Sequence, residues 1–263
     1  MTQSTNQAAS TARRNESGFT LVELAIVMII IGLLIGGILK GQELITNARV
    51  SSTVAQVKAI ESGISGFRDK YAAFPGDLAN PGGRLPSCTV APCNGVATGG
   101  TLANGFIEPQ NPGGTTVLQD EASVAFIHLA AAGLIGGVQP TATALGAGRS
   151  HPTTPLGGTW AISSFNGTAT GVVNANGVPA GVYVLSKQVA PGTITTADNV
   201  QNMTPSSAAN IDRKLDDGVP TSGQVRAVGG NLNAANCASG PAGGDIYNES
   251  LSGTFCNVMA RVQ

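Results

Sequence analysis

The chain has 263 residues, 11% of them charged and 4% aromatic, with 36 Gly, 14 Pro and a formal net charge of -1. That length allows one or two domains, and low charge with so few aromatics describes a modest core carrying long loops rather than a charged disordered chain. A net charge near zero provides no basic field for nucleic acid, and the two histidines, His128 and His151, lie too far apart in sequence to suggest a His-based metal site.

Residues 1–18 are polar and end in a small residue, Gly18. Residues 19–39, FTLVELAIVMIIIGLLIGGIL, are apolar except for Thr20 and Glu23. At about 1.5 Å per residue they predict a helix of roughly 30 Å, enough to cross the hydrocarbon core of a bilayer. Arg13 and Arg14 precede the span and favour a cytoplasmic N-terminus, although Lys40 beyond it keeps the asymmetry slight. A secretory signal is cut at small residues after its apolar run. Here no such site follows Leu39, whereas Gly18 stands before the run, so cutting there would remove the polar leader and keep the anchor. Glu23 is the anomaly of the span, because a carboxylate in a bilayer helix is costly and needs a partner. Cleavage after Gly18 would create one: the new α-amine of Phe19 on one subunit could meet Glu23 of its neighbour at low dielectric. The plainer alternative is a carboxylate in the headgroup zone of a simple anchor.

The stretch Gly18-Phe19-Thr20-Leu21-Val22-Glu23, followed by the apolar run, resembles the type III signal sequence of type IV prepilins and type II secretion pseudopilins. The resemblance is close over residues 13 to 75. It implies cleavage between Gly18 and Phe19 by a membrane prepilin peptidase, N-methylation of Phe19 by the same enzyme, and a role for Glu23 in assembly. One departure stands out. Many relatives carry a helix-weakening Pro late in the apolar run, where this chain has Gly32, Gly36 and Gly37. Glycine lowers helix propensity, so partial unwinding on filament packing is an expectation here.

Beyond the span, Val50, Val54, Val57, Ile60, Ile64, Phe67 and Tyr71 recur at steps of three and four, an amphipathic signature carrying the helix to about Tyr71. Pro75-Gly76 then ends it. The segment KYAAFPGDL resembles the end of this helix in a pseudopilin-like branch of the family. Residues 79–118, rich in Gly, Pro, Asn and Thr, read as a long surface loop with room for one hairpin. Asp120 is placed to cap a helix over Glu121–Ala132 that Gly133 ends, with Val124, Ile127 and Leu134 apolar and His128 in a packing or capping role. Strands are predicted at Thr159–Phe165, Val182–Lys187, Gln224–Val228 and Thr254–Val262, joined by Gly and Asn turns and so antiparallel. Thr204-Pro205 is a cap with Pro at the first helical position, starting a short helix to Leu215 that ends at Asp217-Gly218. The expected architecture is α+β, a long hydrophobic helix packed against an antiparallel sheet with looped decoration, which the family resemblance also implies. The divisions are leader 1–18, membrane or filament-core helix 19–39, amphipathic helix 40–74 and globular head 75–263.

Four Cys permit three pairings, and loop closure favours the local ones, Cys88 with Cys93 and Cys237 with Cys256. This reading places the head in an oxidising, extracytoplasmic compartment; four buried thiols are the alternative. The loop between Cys237 and Cys256 also resembles the D-region of type IV pilins, a surface for subunit contacts and adhesion; a plain staple for the last strand is compatible with that. Asp212, Asp216 and Asp217, with Asp245 further on, are candidate Ca²⁺ ligands, although their spacing is not that of an EF-hand loop. The alternative is a solvated helix end and an Asp-Gly turn, with Arg213 and Lys214 offsetting the charge. No G-x-S-x-G, H-E-x-x-H or phosphate-binding G-x-x-x-x-G-K-[ST] motif occurs. The chain therefore reads as the substrate of an enzyme and not as an enzyme.

The resemblance implies a filament subunit for adhesion, twitching motility or DNA uptake, polymerising with itself and other pilins through the N-terminal helix. It implies a prepilin peptidase and an inner-membrane assembly platform with a separate ATPase as partners. The subunit would sit in the inner membrane with a periplasmic head, then in an extracellular pilus. A pseudopilin of a type II secretion system, in a periplasmic pseudopilus, is the second reading, and a membrane-tethered binding or sensor protein the third.

Overall fold

The computed structural model describes residues 18–95, 103–107, 121–144, 146–165, 181–187, 202–228, 236–239 and 246–263. Its elements in chain order are α1 (Leu21–Tyr71), α2 (Pro81–Arg84), α3 (Glu121–Ala131), β1 (Thr159–Phe165), β2 (Gly181–Lys187), α4 (Pro205–Leu215), β3 (Val225–Val228), β4 (Ala238–Ser239), β5 (Ile246–Tyr247) and β6 (Asn257–Arg261). By its internal contacts the chain divides into two units, residues 1–45 and 46–263.

In the first unit every residue from Leu21 to Lys40 is exposed. The run contains no Pro, and a helix satisfies all its backbone polar groups internally, which a lipid-facing segment requires. α1 continues unbroken through Gly32, Gly36 and Gly37 in the single chain, so the expected unwinding would belong to the packed filament. This helix is long and apolar enough to cross a membrane.

In the second unit, α1 buries Val50, Thr53, Val57, Ile60, Gly63, Ile64, Phe67 and Tyr71, which is the stripe its periodicity predicts with Gly63 added and one exchange. Thr53 takes the central place and Val54 is only half-buried. The Thr53 hydroxyl donates to the Arg49 carbonyl at 2.8 Å, so its polar atom is satisfied within the core. A four-stranded antiparallel sheet, ordered β1-β2-β6-β3, supplies the other wall. Its register pairs Ile162 with Val184, Val184 with Ala260, and Val225 with Ala260. Those residues, with Trp160, Val182 and Val258, join the α1 stripe and α3 in one hydrophobic core. Gln56, off the apolar stripe, ties helix to sheet. It accepts from the Trp160 indole N–H at 2.9 Å and donates to the Thr153 carbonyl at 3.1 Å.

α3 is buried on nearly every side, which explains its lack of a polar face. It ends in a Schellman turn, the Gly133 N–H donating to Ala130 and the Leu134 N–H to Leu129, so Leu134 lies past the helix. α4 begins as expected, the Thr204 hydroxyl accepting from the Ser207 N–H at 3.2 Å with Pro205 at the first position. The strands of the main sheet lie where they are predicted to within a residue, except that β6 is shorter than Thr254–Val262. Its approach is taken up by Cys256, which bridges to Met203 and to Cys237. Three short elements were not foreseen: α2, inside the segment read as loop, and the β4–β5 pair. Residues 79–95 and 103–107 contain no hairpin; the rest of the expected loop and the proposed cap Asp120 lie outside the described residues.

Candidate functional site

Gly18 and Phe19 are exposed and precede the helix, which opens at Leu21. Arg13, Arg14 and the rest of the leader to Ser17 lie outside the described residues. At the helix start, the Glu23 N–H donates to the Thr20 hydroxyl oxygen at 3.2 Å. In return a Glu23 carboxylate oxygen accepts from the Thr20 N–H at 2.9 Å and from the Thr20 hydroxyl at 2.8 Å. This reciprocal arrangement is a capping box, in which residues three apart satisfy two otherwise orphaned N–H groups. The Thr-x-x-Glu spacing announces it, although neither the intersubunit role expected of Glu23 nor the headgroup-zone alternative includes a cap. In the single chain, then, the carboxylate is held by its own helix start, and the Gly18–Phe19 peptide is left in non-helical, accessible chain.

In the second unit the disulfides are Cys88–Cys93 and Cys237–Cys256, each with Cα atoms 5.1 Å apart and all four cysteines buried. The first is braced by His128 from α3. Its Nδ1 accepts from the Gly76 N–H at 3.0 Å, so the ring proton sits on Nε2, which donates to the Cys93 carbonyl at 3.1 Å. Gly76 has φ +94°, and a side chain there would strike the Glu121 backbone, so only glycine brings this N–H to the ring. His128 thus joins α3, the chain leaving α1 and the disulfide loop, as a structural residue. Burial pushes its pKa from 6.5 down to about 4, with the Cys93 carbonyl acting weakly the other way.

A lowered folded-state pKa on a base means that stability is complete above the ordinary value and is lost as pH falls through the folded one. The His128 contribution should therefore drain between pH 6.5 and about 4, by roughly 3 kcal/mol. Asp212 opposes it: burial raises its carboxyl to about 6, so its ionisation costs stability that is recovered on acidification. The two are separated by comparing the pH dependence of unfolding in the wild type and in His128→Gln. Identical profiles would show that His128 is not the acid-labile contact.

Asp212, Asp216 and Asp217 do come together, with a carboxylate oxygen from each within 4.8 Å of the others. Each is already engaged. Asp212 accepts from the Tyr247 hydroxyl at 2.7 Å and the Gly218 N–H at 3.1 Å. Asp216 accepts from the N–H groups of Gln224 and Val225, and Asp217 from the Val219 N–H at 2.8 Å and the Ser222 hydroxyl at 2.6 Å. Ca²⁺ takes six to eight oxygens, and here the same oxygens hold a turn, so this donor set fits a hydrogen-bonded loop better than a cation cage. Asp245 lies outside the described residues. The solvated-helix-end alternative also needs correction, since Asp212 is fully buried. The neighbouring cations make their direct bonds elsewhere, Arg213 with Glu249 and Lys214 to the Ser51 hydroxyl at 2.7 Å, although the Arg213 charge still acts on Asp212. Tyr247 and Glu249 thereby fasten the Cys237–Cys256 loop to α4.

Comparison with known proteins converges on the first of these regions. Residues 13–39 match the family model described as the prokaryotic N-terminal methylation motif. No curated protein and no solved structure matches the chain. The matched residues contain Gly18, Phe19, the Thr20–Glu23 cap and the exposed apolar helix, and the motif implies processing by a prepilin peptidase and assembly with other pilins. With that helix, the motif marks a membrane-anchored protein. The chain carries the N-terminal methylation signal of type IV pilin-like proteins.

Proposed function

We propose that this chain is a structural subunit of a type IV pilus-like filament, cleaved between Gly18 and Phe19, methylated on Phe19 and assembled through residues 19–39. The observation that carries this reading is a lone carboxylate, Glu23, in the exposed and otherwise uncharged apolar stretch from Leu21 to Leu39 that opens α1 just after a Gly-Phe peptide. A helix with no apolar partner of its own is suited first to lipid and then to other copies of itself, where close packing replaces lipid contacts. The amine released at Phe19 would offer Glu23 of a neighbour a cation and set the stagger between subunits. The head would then lie on the oxidising side of the inner membrane and afterwards in a surface pilus serving adhesion, twitching motility or DNA uptake. Extension would be driven by a separate ATPase at the assembly platform.

Mass spectrometry of the N-terminal peptide of the exported protein tests this. N-methylated Phe19 is expected as the first residue. A chain still beginning at Met1, or one lacking the apolar segment, would overturn the reading and favour a simple membrane tether. The segment Lys70–Leu78, KYAAFPGDL, supports a second reading, a pseudopilin of a type II secretion system. Antibody labelling of intact cells separates the two, since long surface filaments are expected only of a pilus.

A further inference from the structure

Two Asn-Gly pairs occur among the described residues, and their surroundings differ chemically. At Asn94–Gly95, the Gly95 N–H donates to the Pro92 carbonyl at 3.1 Å, and the Asn94 carboxamide donates to the Thr89 carbonyl at 2.8 Å. At Asn104–Gly105, the Gly105 N–H donates to a carboxylate oxygen of Asp77 at 2.8 Å. The other oxygen of Asp77 accepts from the Asn104 N–H at 3.1 Å, which fixes the carboxylate against this peptide. The Asn104 side-chain carbonyl accepts from the Phe106 N–H at 2.8 Å. Gly105 has φ +85°, and nothing lies within 4 Å of where a side chain would be. Asp77, Ala103 and Gly105 line a surface cavity with Arg68 and Phe74, which admits water.

We propose that Asn104 is a self-modifying residue, converted to aspartate and isoaspartate through a succinimide with Asp77 as general base. A backbone nitrogen attacks the Asn carboxamide carbon only once it gives up its proton, and a carboxylate on that N–H is a base in place. The Gly105 proton passes to Asp77, and the nitrogen bonds to Cγ of Asn104. The charge that develops on the side-chain oxygen is met by the Phe106 N–H, an oxyanion donor already aligned. The C–N bond to the carboxamide nitrogen then breaks, and ammonia departs with the proton that Asp77 held. Water from the cavity opens the five-membered ring at either carbonyl. The net change is Asn plus water to aspartate or isoaspartate plus ammonia, with no oxidant or reductant. At Asn94 the following N–H is held by the Pro92 carbonyl and not by a carboxylate, and among the described residues no donor meets its side-chain oxygen.

The full chain in detergent micelles, incubated near neutral pH in oxygen-18 water and mapped by peptide mass spectrometry, provides the test. Labelled aspartate and isoaspartate are expected at Asn104 at least roughly tenfold faster than at Asn94, a fraction of what a positioned base can supply. Asn104 should also convert faster in the folded chain than in the same chain in urea, and Asp77→Asn should bring it down to the urea rate. If Asn104 converts no faster folded than unfolded, or if a folded Asp77→Asn chain keeps the wild-type rate, the assignment fails. Should Asp77→Asn not fold, the folded-against-urea comparison of the wild type decides alone.

Discussion

Glu23→Ala is expected to insert in the membrane and to keep the cleavage proposed after Gly18, while its filament yield falls by about tenfold or more, as removing one partner of a buried charge pair predicts. Two losses are combined in that variant, and the structure separates them. Alanine removes the charge that would meet a neighbour's Phe19 amine, and it also removes half of the capping box, since the Glu23 carboxylate accepts from the Thr20 N–H and hydroxyl. Glu23→Gln keeps an acceptor oxygen for the cap and gives up only the charge. Thr20→Ala does the reverse. If charge pairing sets the assembly, Glu23→Gln should assemble as poorly as Glu23→Ala, whereas Thr20→Ala should form filaments with a frayed helix start. The measurement is sheared filament set against membrane-fraction subunit, with N-terminal mass spectrometry to confirm processing. Filaments at wild-type yield from Glu23→Gln would remove the intersubunit pairing and leave the cap as the role of Glu23.

The largest loss of stability in the head is expected at Phe67. It is fully buried on α1, 4.6 Å from the Tyr71 ring and stacked at 6.3 Å on the His128 ring with planes 7° apart. Phe67→Ala removes the ring and leaves a cavity at a place where α1, α3 and the disulfide loop meet, so little can collapse to fill it. A loss of roughly 3–5 kcal/mol follows. Denaturant unfolding of the full chain in micelles, read from the fluorescence of the single tryptophan, reports it directly. That residue, Trp160, is buried with its indole N–H on Gln56 of α1, so its emission follows the packing of helix against sheet. A loss under about 1 kcal/mol, the size of a surface change, would mean that α1 is not the spine of this core.

The extent of α1, the start of α4 and the strands of the main sheet were legible in the sequence because each rests on a local rule. Steps of three and four ending at Tyr71 and Pro75, a Thr-Pro cap at Thr204, and short strand-forming runs between Gly and Asn turns are patterns a chain carries irrespective of what it touches. The Gly18–Glu23 signal is of the same kind, since its chemistry lies within a few residues. The capping box of Thr20 and Glu23 is equally local, since it needs only the Thr-x-x-Glu spacing.

Other features belong to the tertiary structure alone. Two-residue strands such as β4 and β5 have no periodicity to detect, and they pair inside the loop that the Cys237–Cys256 disulfide closes. Asp212 stands on an ordinary polar helix end until Tyr247, 35 residues later, covers it and takes its oxygen. His128 is a lone histidine in an apolar helix until Gly76 and Cys93 arrive at its two nitrogens. Periodicity and capping are written into the backbone within one or two turns. The burial and hydrogen bonding of a titratable side chain depend on partners that the chain meets only by folding.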